Sequence, residues 1–272
     1  MVDKNEEPAL PRDGVWGQAY SLGSGQTQFH ELSHTRLWVT RLDLEWQIRA
    51  ATSAPAVDPM RWTEQTSHVL PGSDVPLQRF VRPDDSNEVV FLPALAGLPT
   101  VIRPYQPLTI PAGGTCVIYV GTVVWLRICV GTHRTQLTEL ALAEPSQTWV
   151  GKNTMEGELC YSAPSYARLV LEAVPKRPWR AVTPVTIMNS RTEPLLLERF
   201  SLPTPLLSLH MNEKGQLWTP GVTVVCETDM NSASLNVDQT LFKAAGDCRL
   251  ITPARETGSR GRLVRAFDRM FG

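Results

Sequence analysis

Trp149-Val150-Gly151 opens the stretch that decides the fold, and Cys226 closes it. Between them lie Glu156-Gly157-Glu158-Leu159-Cys160-Tyr161, Arg180-Ala181-Val182-Thr183-Pro184-Val185-Thr186-Ile187 and Pro194-Leu195-Leu196-Leu197-Glu198-Arg199-Phe200. Leu206-Leu207-Ser208-Leu209-His210 and Leu217-Trp218-Thr219-Pro220-Gly221-Val222-Thr223-Val224-Val225 complete the series. Each run is short, apolar and rich in β-branched or aromatic residues, and Pro, Gly and Asn clusters separate the runs. Side chains of that kind pack on a pleated surface, so the runs predict successive strands. Asn212-Glu213-Lys214-Gly215 has the chemistry of a hairpin turn, the glycine supplying the left-handed position.

The pattern extends upstream. Leu42, Leu44, Trp46, Ile48 and Ala50 alternate with Asp43, Glu45, Gln47 and Arg49, which predicts a half-buried strand. Trp16 to Leu22 predicts a first strand, with Gly23-Ser24-Gly25 as a turn. Residues 51–74 carry no strong helix signal and read as a loop or an excursion. Val89–Leu92, Thr100–Ile102, Leu108–Ile110, Cys116–Val120, Val123–Val130 and Gln136–Leu142 continue the strands, and Pro111-Ala112-Gly113-Gly114 predicts a hairpin turn. Pro145-Ser146 marks a boundary. Strands at such regular short spacing predict sandwiches or barrels. The expectation is an all-β protein of two β-sandwich-like halves packed together, residues 1–145 and 146–254, with residues 255–272 as a linker and a short amphipathic helix.

That tail differs in composition from the body. Arg255 to Gly261 is rich in Gly, Ser and Arg, after which Leu263, Val264, Phe267, Met270 and Phe271 fall at helical spacing. Arg262, Arg265 and Arg269 accompany them, so a short basic amphipathic helix is predicted. Its plain use is to dock on its own chain. As a partner site it offers Arg262, Leu263, Arg265, Phe267, Arg269 and Phe271 to a protein groove or an anionic membrane surface.

Composition narrows the function classes. With 42% hydrophobic and 19% charged residues the chain can bury a core. Its 22 prolines suit strand ends and loops, since each removes a donor and fixes φ. Lys+Arg of 26 against Asp+Glu of 27 leaves no basic surplus for phosphates, which argues against nucleic acid as a partner. The five cysteines, Cys116, Cys129, Cys160, Cys226 and Cys248, have no zinc-knuckle spacing and read as buried thiols. The charged start Met1-Val2-Asp3-Lys4-Asn5-Glu6-Glu7 lacks the apolar core of a signal peptide, so a cytoplasmic, reducing location is expected. The most apolar segment, Cys116 to Gly131, falls short of the ~20 residues a spanning helix needs and is interrupted by Arg127. It reads as a buried strand pair.

One formal catalytic motif is present. His30-Glu31-Leu32-Ser33-His34 fits H-E-x-x-H, in which two histidines hold zinc and the glutamate acts as base on bound water. The chemistry needs a helix, which places both imidazoles on one face. Gly23 and Gly25 upstream and Leu37-Trp38-Val39-Thr40 downstream favour a strand instead. Glu45 and Glu64 are conceivable third ligands, although nothing selects either. Glu156 and Glu158 share a strand face, which an exposed sheet explains as well as a catalytic pair does. No G-x-S-x-G elbow and no Gly-rich phosphate loop is present. The eight tryptophans, among them Trp38, Trp46, Trp125, Trp149, Trp179 and Trp218, read first as core and second as a ligand platform.

The chain also resembles an uncharacterised prokaryotic family known only as a domain of unknown function. The residues that carry the resemblance are Trp16-Gly17, Leu37-Trp38-Val39, Glu45-Trp46, Arg103-Pro104, Pro107-Leu108-Thr109-Ile110-Pro111 and Val124-Trp125-Leu126-Arg127. Glu156 to Tyr161, Pro194 to Arg199, Leu217-Trp218-Thr219 and Leu263-Val264-Arg265-Ala266-Phe267 continue it. The resemblance brings no catalytic residues. It implies an accessory role, in association with a small mechanosensitive-type membrane channel. The reading that results is a non-enzymatic binding or accessory protein acting through protein contacts and without a cofactor. The alternative is a zinc-dependent hydrolase using His30, Glu31 and His34.

Overall fold

A computed structural model describes residues 12–52, 61–67, 69–151, 155, 157–163, 165–227, 232–257 and 263–266, with Ser232 and residues 263–266 described by backbone alone. The described chain is all-β: its elements are strands and short 3-10 turns, and its sheets are open. The strands fall into two compact units, one formed by residues up to Leu92 with Leu126–Leu142, the other by Pro93–Trp125 with the chain from Ala143. The segment 93–125, grouped with the first half by its sequence, clusters with the second unit. The last crossing, between Leu142 and Ala143, falls beside the boundary expected at 145.

The first unit contains β1 (Arg12–Asp13), β2 (Ala19–Ser21), β3 (Thr27–Leu32), β4 (Thr35–Arg41), β5 (Glu45–Thr52), β6 (Trp62–Ser67), β7 (Leu77–Val81) and β8 (Glu88–Ala94). After β9 (Thr100–Ile102), β10 (Leu108–Ile110) and β11 (Thr115–Val123) in the second unit, the chain returns with β12 (Trp125–Val130) and β13 (Thr135–Ala141). One sheet has the order β1-β6-β3-β4-β5-β7 and is antiparallel throughout. A second has the order β13-β12-β8-β2.

Alternation places Trp46 and Ile48 of β5 in the core, as their spacing predicts. It stops short of Leu44, which is 81% exposed. Leu42 to Leu44 are the hairpin connection, closed by the Leu42 N–H to the Glu45 carbonyl at 2.8 Å. Strands β6 and β7 lie in and just beyond the region read as a loop. β6 gave no hydrophobic signal because part of its inward face is polar, and β7 gave none because no residue of it is buried. The Gln28 amide donates to Glu64 Oε2 at 2.5 Å, and the Thr66 hydroxyl donates to Gln28 Oε1 at 2.6 Å.

The second unit adds β14 (Ser146–Gly151), β15 (Gly157–Ser162), β16 (Tyr166–Arg168), β17 (Arg180–Asn189), β18 (Leu195–Leu197) and β19 (Phe200–Leu202). It ends with β20 (Leu209–Asn212), β21 (Leu217–Trp218), β22 (Val222–Cys226), β23 (Ser232–Val237), β24 (Cys248–Thr252) and β25 (Leu263–Ala266). Its central strand is β17, buried along nearly its whole length, which accounts for an almost continuous apolar run. β11 pairs with it antiparallel, from Thr115↔Met188 to Val123↔Arg180. Two strands share its other edge, both parallel: β21 at Ala181–Val182 and β22 from Val185 to Asn189. Pro184, which has no N–H to give, falls in the gap between those two ladders.

The turn at Pro111–Gly114 forms as expected, with Gly113 at φ 68° and the Gly114 N–H on the Pro111 carbonyl at 2.9 Å. The hairpin expected around it does not form. β10 pairs with β18, whereas β11 pairs with β17, so the chain turns a corner between sheets. The buried strand pair expected over Cys116–Gly131 is corrected in the same way: β11 and β12 are consecutive but enter different sheets. Asn189 holds the corner. It is buried, and its Nδ2 lies 2.9–3.1 Å from the carbonyls of Ile110, Pro111 and Glu193. Asn189→Ala should cost about 2–3 kcal/mol by removing the one side-chain donor that ties these three carbonyls together, although Pro111 keeps its bond from the Gly114 N–H. Urea unfolding measures the loss, and a change below about 0.5 kcal/mol would mean that the corner is held by other contacts.

The amphipathic helix expected in 255–272 is not what the described tail shows. Leu263–Ala266 is a strand, antiparallel to β23 from Leu263↔Leu235 to Ala266↔Ser232. Residues 258–262 and 267–272 lie outside the described residues. All five cysteines are free, and burial pushes the Cys226 thiol up to about 11.

Candidate functional site

The H-E-x-x-H residues sit on a hairpin, not a helix. His30 and Glu31 belong to β3, and Ser33-His34 is the two-residue turn into β4, with Ser33 at φ 56°. Successive strand residues face opposite ways, so His30 is fully buried while Glu31 lies on the other face. The imidazole is enclosed by aromatic rings, with centroids 4.1 Å away at Phe91, 5.5 Å at Tyr20 and 5.7 Å at Trp62. Trp62 Nε1 donates to His30 Nδ1 at 3.0 Å, which fixes the proton of the neutral ring on Nε2. Burial pushes His30 down to about 3, so the ring is neutral at physiological pH. Trp16 packs on Trp62 with ring centroids 4.5 Å apart and planes tilted by 51°, and completes an aromatic core. Among the described residues no three His, Cys, Asp or Glu side chains gather as a metal site. The helical geometry that gives the motif its meaning is therefore absent, and Glu45 and Glu64 have other partners. Glu45 pairs with Arg79 at 2.7 Å, and Glu64 accepts from Gln28.

Of the tail residues singled out as a partner site, Leu263 and Arg265 lie on β25, the outermost strand of its sheet. Arg262, Phe267, Arg269 and Phe271 lie outside the described residues, as does Glu156.

A surface that sequence reading passed over lies on the hairpin β14–β15. Trp149 and Leu159 are directly opposite in the antiparallel register, and both point outward, 44% and 39% exposed. Gln147↔Tyr161 is the next pair on that face, and the Tyr161 ring lies 5.9 Å from Trp125. Gly157 is what lets the Trp149 indole lie across the hairpin, since a Cβ there would collide with indole Nε1. Met155, at the hairpin end, is 90% exposed. β14 is the outermost strand of the sheet β14-β15-β9-β19. Trp149 and Leu159 thus form a small exposed apolar pair on an edge hairpin.

The same unit contains a ladder of alternating cations and rings. The Arg168 guanidinium lies 4.9 Å from the Tyr105 ring and 5.9 Å from Tyr166. The Arg180 guanidinium lies 4.3 Å from Tyr166 and 5.1 Å from Trp179. Arg180 is buried and donates to the Gly121 carbonyl at 2.9 Å. Burial lowers it to about 10, with Tyr166 acting to raise it and Arg177 to lower it, so it stays charged at neutral pH. The ladder runs from buried Trp179 to Tyr105, which is 78% exposed, and it holds that tyrosine on a stiff base. Only the isolated Arg and Tyr identities were legible beforehand, because the residues come from separate segments.

Residues 15–271 match the family described as "Protein of unknown function (DUF432)". The chain belongs to this family. No curated protein and no solved structure matches. The family description gives no activity, so none of these side chains inherits a role from it. No helix among the described residues is long and apolar enough to cross a membrane.

Proposed function

We propose that this family member works by binding a partner protein, as an accessory subunit, and not by chemistry at an active site. Two β-sandwich-like halves are part of that reading. The observation that supports it is the Trp149–Leu159 pair, half exposed on an outermost hairpin. Its occupant is an extended segment of the partner, added to the edge of β14, with Trp149 and Leu159 covered by the partner's apolar side chains. Aromatic anchors on a rigid edge concentrate binding energy, and Tyr105 on its cationic ladder is of the same type. A membrane-channel partner is the form of the proposal that the family resemblance implies.

The test is recovery of partners in mild detergent by the native chain, by Trp149→Glu and by a chain ending at Thr257. A partner recovered in stoichiometric amount is then purified and titrated against all three. A central tryptophan anchor is worth ~2 kcal/mol or more, so Trp149→Glu should weaken the affinity at least about 30-fold. Equal affinity for the native chain and Trp149→Glu would remove the hairpin from the interface. Loss only in the shortened chain would transfer the site to the tail.

A further inference from the structure

The hairpin tip between β20 and β21 borders a cavity of about 250 Å³ that Trp218 also lines. Three segments build it: the 3-10 turn Leu171–Ala173, the hairpin tip, and the 3-10 turn Lys243–Ala245. Asn212 fixes the tip. Its Oδ1 accepts the N–H groups of Lys214 and Gln216 at 3.1 and 2.9 Å, and its Nδ2 donates to the Ala245 carbonyl at 3.1 Å. Gly246, at φ 73°, closes the far wall by donating to the Lys243 carbonyl at 3.2 Å. The walls are thus preset by backbone hydrogen bonds and not by side-chain packing alone.

We infer that this cavity binds a free α-amino acid with a short apolar side chain. Three observations carry the assignment. First, Trp218 is only 2% exposed, and its Nε1 has no hydrogen-bond partner among the described residues, although it lines the cavity. A buried donor of that kind calls for an acceptor. Second, the rim carries charges of both signs, Lys176 and Lys214 against Glu172, Glu213 and Asp247, and no ion pair links any of them to another described residue. Each sign is therefore open to a ligand. The lysines and the indole N–H serve a carboxylate, and the acidic groups serve an ammonium. With three carboxylates to two ammonium groups, the site disfavours a simple anion. Third, the floor beside Trp218 is apolar, since Leu171 and Ala245 belong to or pack on the same buried cluster. The volume lies below the ~300–1,000 Å³ of pockets for drug-sized molecules, which limits the ligand to the size of a small amino acid.

The experiment uses the intact protein. Thermal unfolding is followed with each of the twenty amino acids, with glucose as the uncharged polyol and inorganic phosphate as the anion. One or a few small apolar amino acids should raise the unfolding midpoint, by about 5 °C at a hundredfold excess over Kd. The same ligand should shift the Trp218 indole N–H resonance, assigned with Trp218→Phe. Lys214→Glu and Asp247→Lys, both exposed and neutral to folding, should each weaken the affinity at least tenfold. An effect of glucose or phosphate alone would overturn the zwitterion assignment. No response to any of the twenty, or a response untouched by both rim variants, would overturn the site. None of these outcomes depends on the β14–β15 hairpin, so partner binding and ligand binding stand or fall separately.

Discussion

Lowering the pH from 6.5 towards 3 should destabilise the first unit by up to about 1.4 kcal/mol per pH unit, and His30→Gln should remove most of that slope. His30 is fully buried among Tyr20, Trp62 and Phe91, and burial holds it near 3 against an ordinary value of 6.5. The sign follows from proton counts. Below pH 6.5 the unfolded chain takes up a proton at His30 that the folded protein refuses, so acid favours unfolding. The stability is fully present above 6.5 and is lost as the pH falls towards 3. Accumulated over that window the loss is about 5 kcal/mol, a large share of the ~5–15 kcal/mol that holds an ordinary domain together. Two other groups act in the same direction. His210, in the second unit, is also lowered by burial, and the hydrogen bond from Arg79 holds Glu45 below its usual range. Glu45 enters only below about 4.5, so the interval from 6.5 to 4.5 isolates the histidines, and native-state hydrogen exchange at β3 and β6 isolates His30 from His210. Glutamine keeps an acceptor for Trp62 Nε1 and has nothing to titrate. An unchanged slope in His30→Gln would mean that His30 is not the group responsible.

Gly14→Ala should cost about 3 kcal/mol although it adds a single methyl group. A Cβ at residue 14 would overlap the Trp62 indole at Cε2, Cδ2 and Nε1. Neither side has room to yield. The backbone is tied by the Gly14 N–H to the Trp62 carbonyl at 3.0 Å, and the indole is held by Trp16 on one side and His30 on the other. Overpacking of this kind costs ~1–3 kcal/mol, and displacement of the indole also breaks its hydrogen bond to His30, worth about 1 kcal/mol. Urea unfolding of Gly14→Ala alone and in a Trp62→Leu background makes the test. In the double variant the added methyl should cost less than about 1 kcal/mol, because the obstruction is gone. Equal costs in both backgrounds would place the strain in the backbone and not in the contact with Trp62.

How far these features could be read in the sequence depended on where their information lies. The all-β class was legible because β5, β17 and β22 carry short runs of β-branched and aromatic residues, and the turn at Asn212–Gly215 announces itself by its chemistry. β6 was not, because Glu64 and Thr66 are inward or half-buried polar groups matched by Gln28, and a polar ladder leaves no hydrophobic period. Pairing was the least legible. Nothing local distinguishes the corner at Pro111–Gly114 from a hairpin, since what decides it is Asn189, distant in sequence. The tail shows a related ambiguity: apolar positions at 263, 264 and 267 fit a helical period, while pairing with β23 makes 263–266 a strand. The candidate sites were legible only as residue types. Trp149 reads like any other tryptophan until its partner Leu159 and the glycine beneath its ring are known. Trp218 likewise gives no sign that its nitrogen lacks an acceptor.

The chain's return to the first unit after residue 125 governs how the protein can emerge from a ribosome. When residue 92 has been made, β8 has neighbours on one side only, because β12 and β13 are not yet synthesised. The intervening segment meanwhile supplies β9, β10 and β11, whose partners β15, β17, β18 and β19 come later still. Neither unit is finished before the other has begun, so the nascent chain carries open strand edges from both at once. That is the period in which aggregation competes with folding. It also means that no single cut yields either unit whole. Fragments for further work have to be designed as insertions or permutations around residues 93–125, and not as halves.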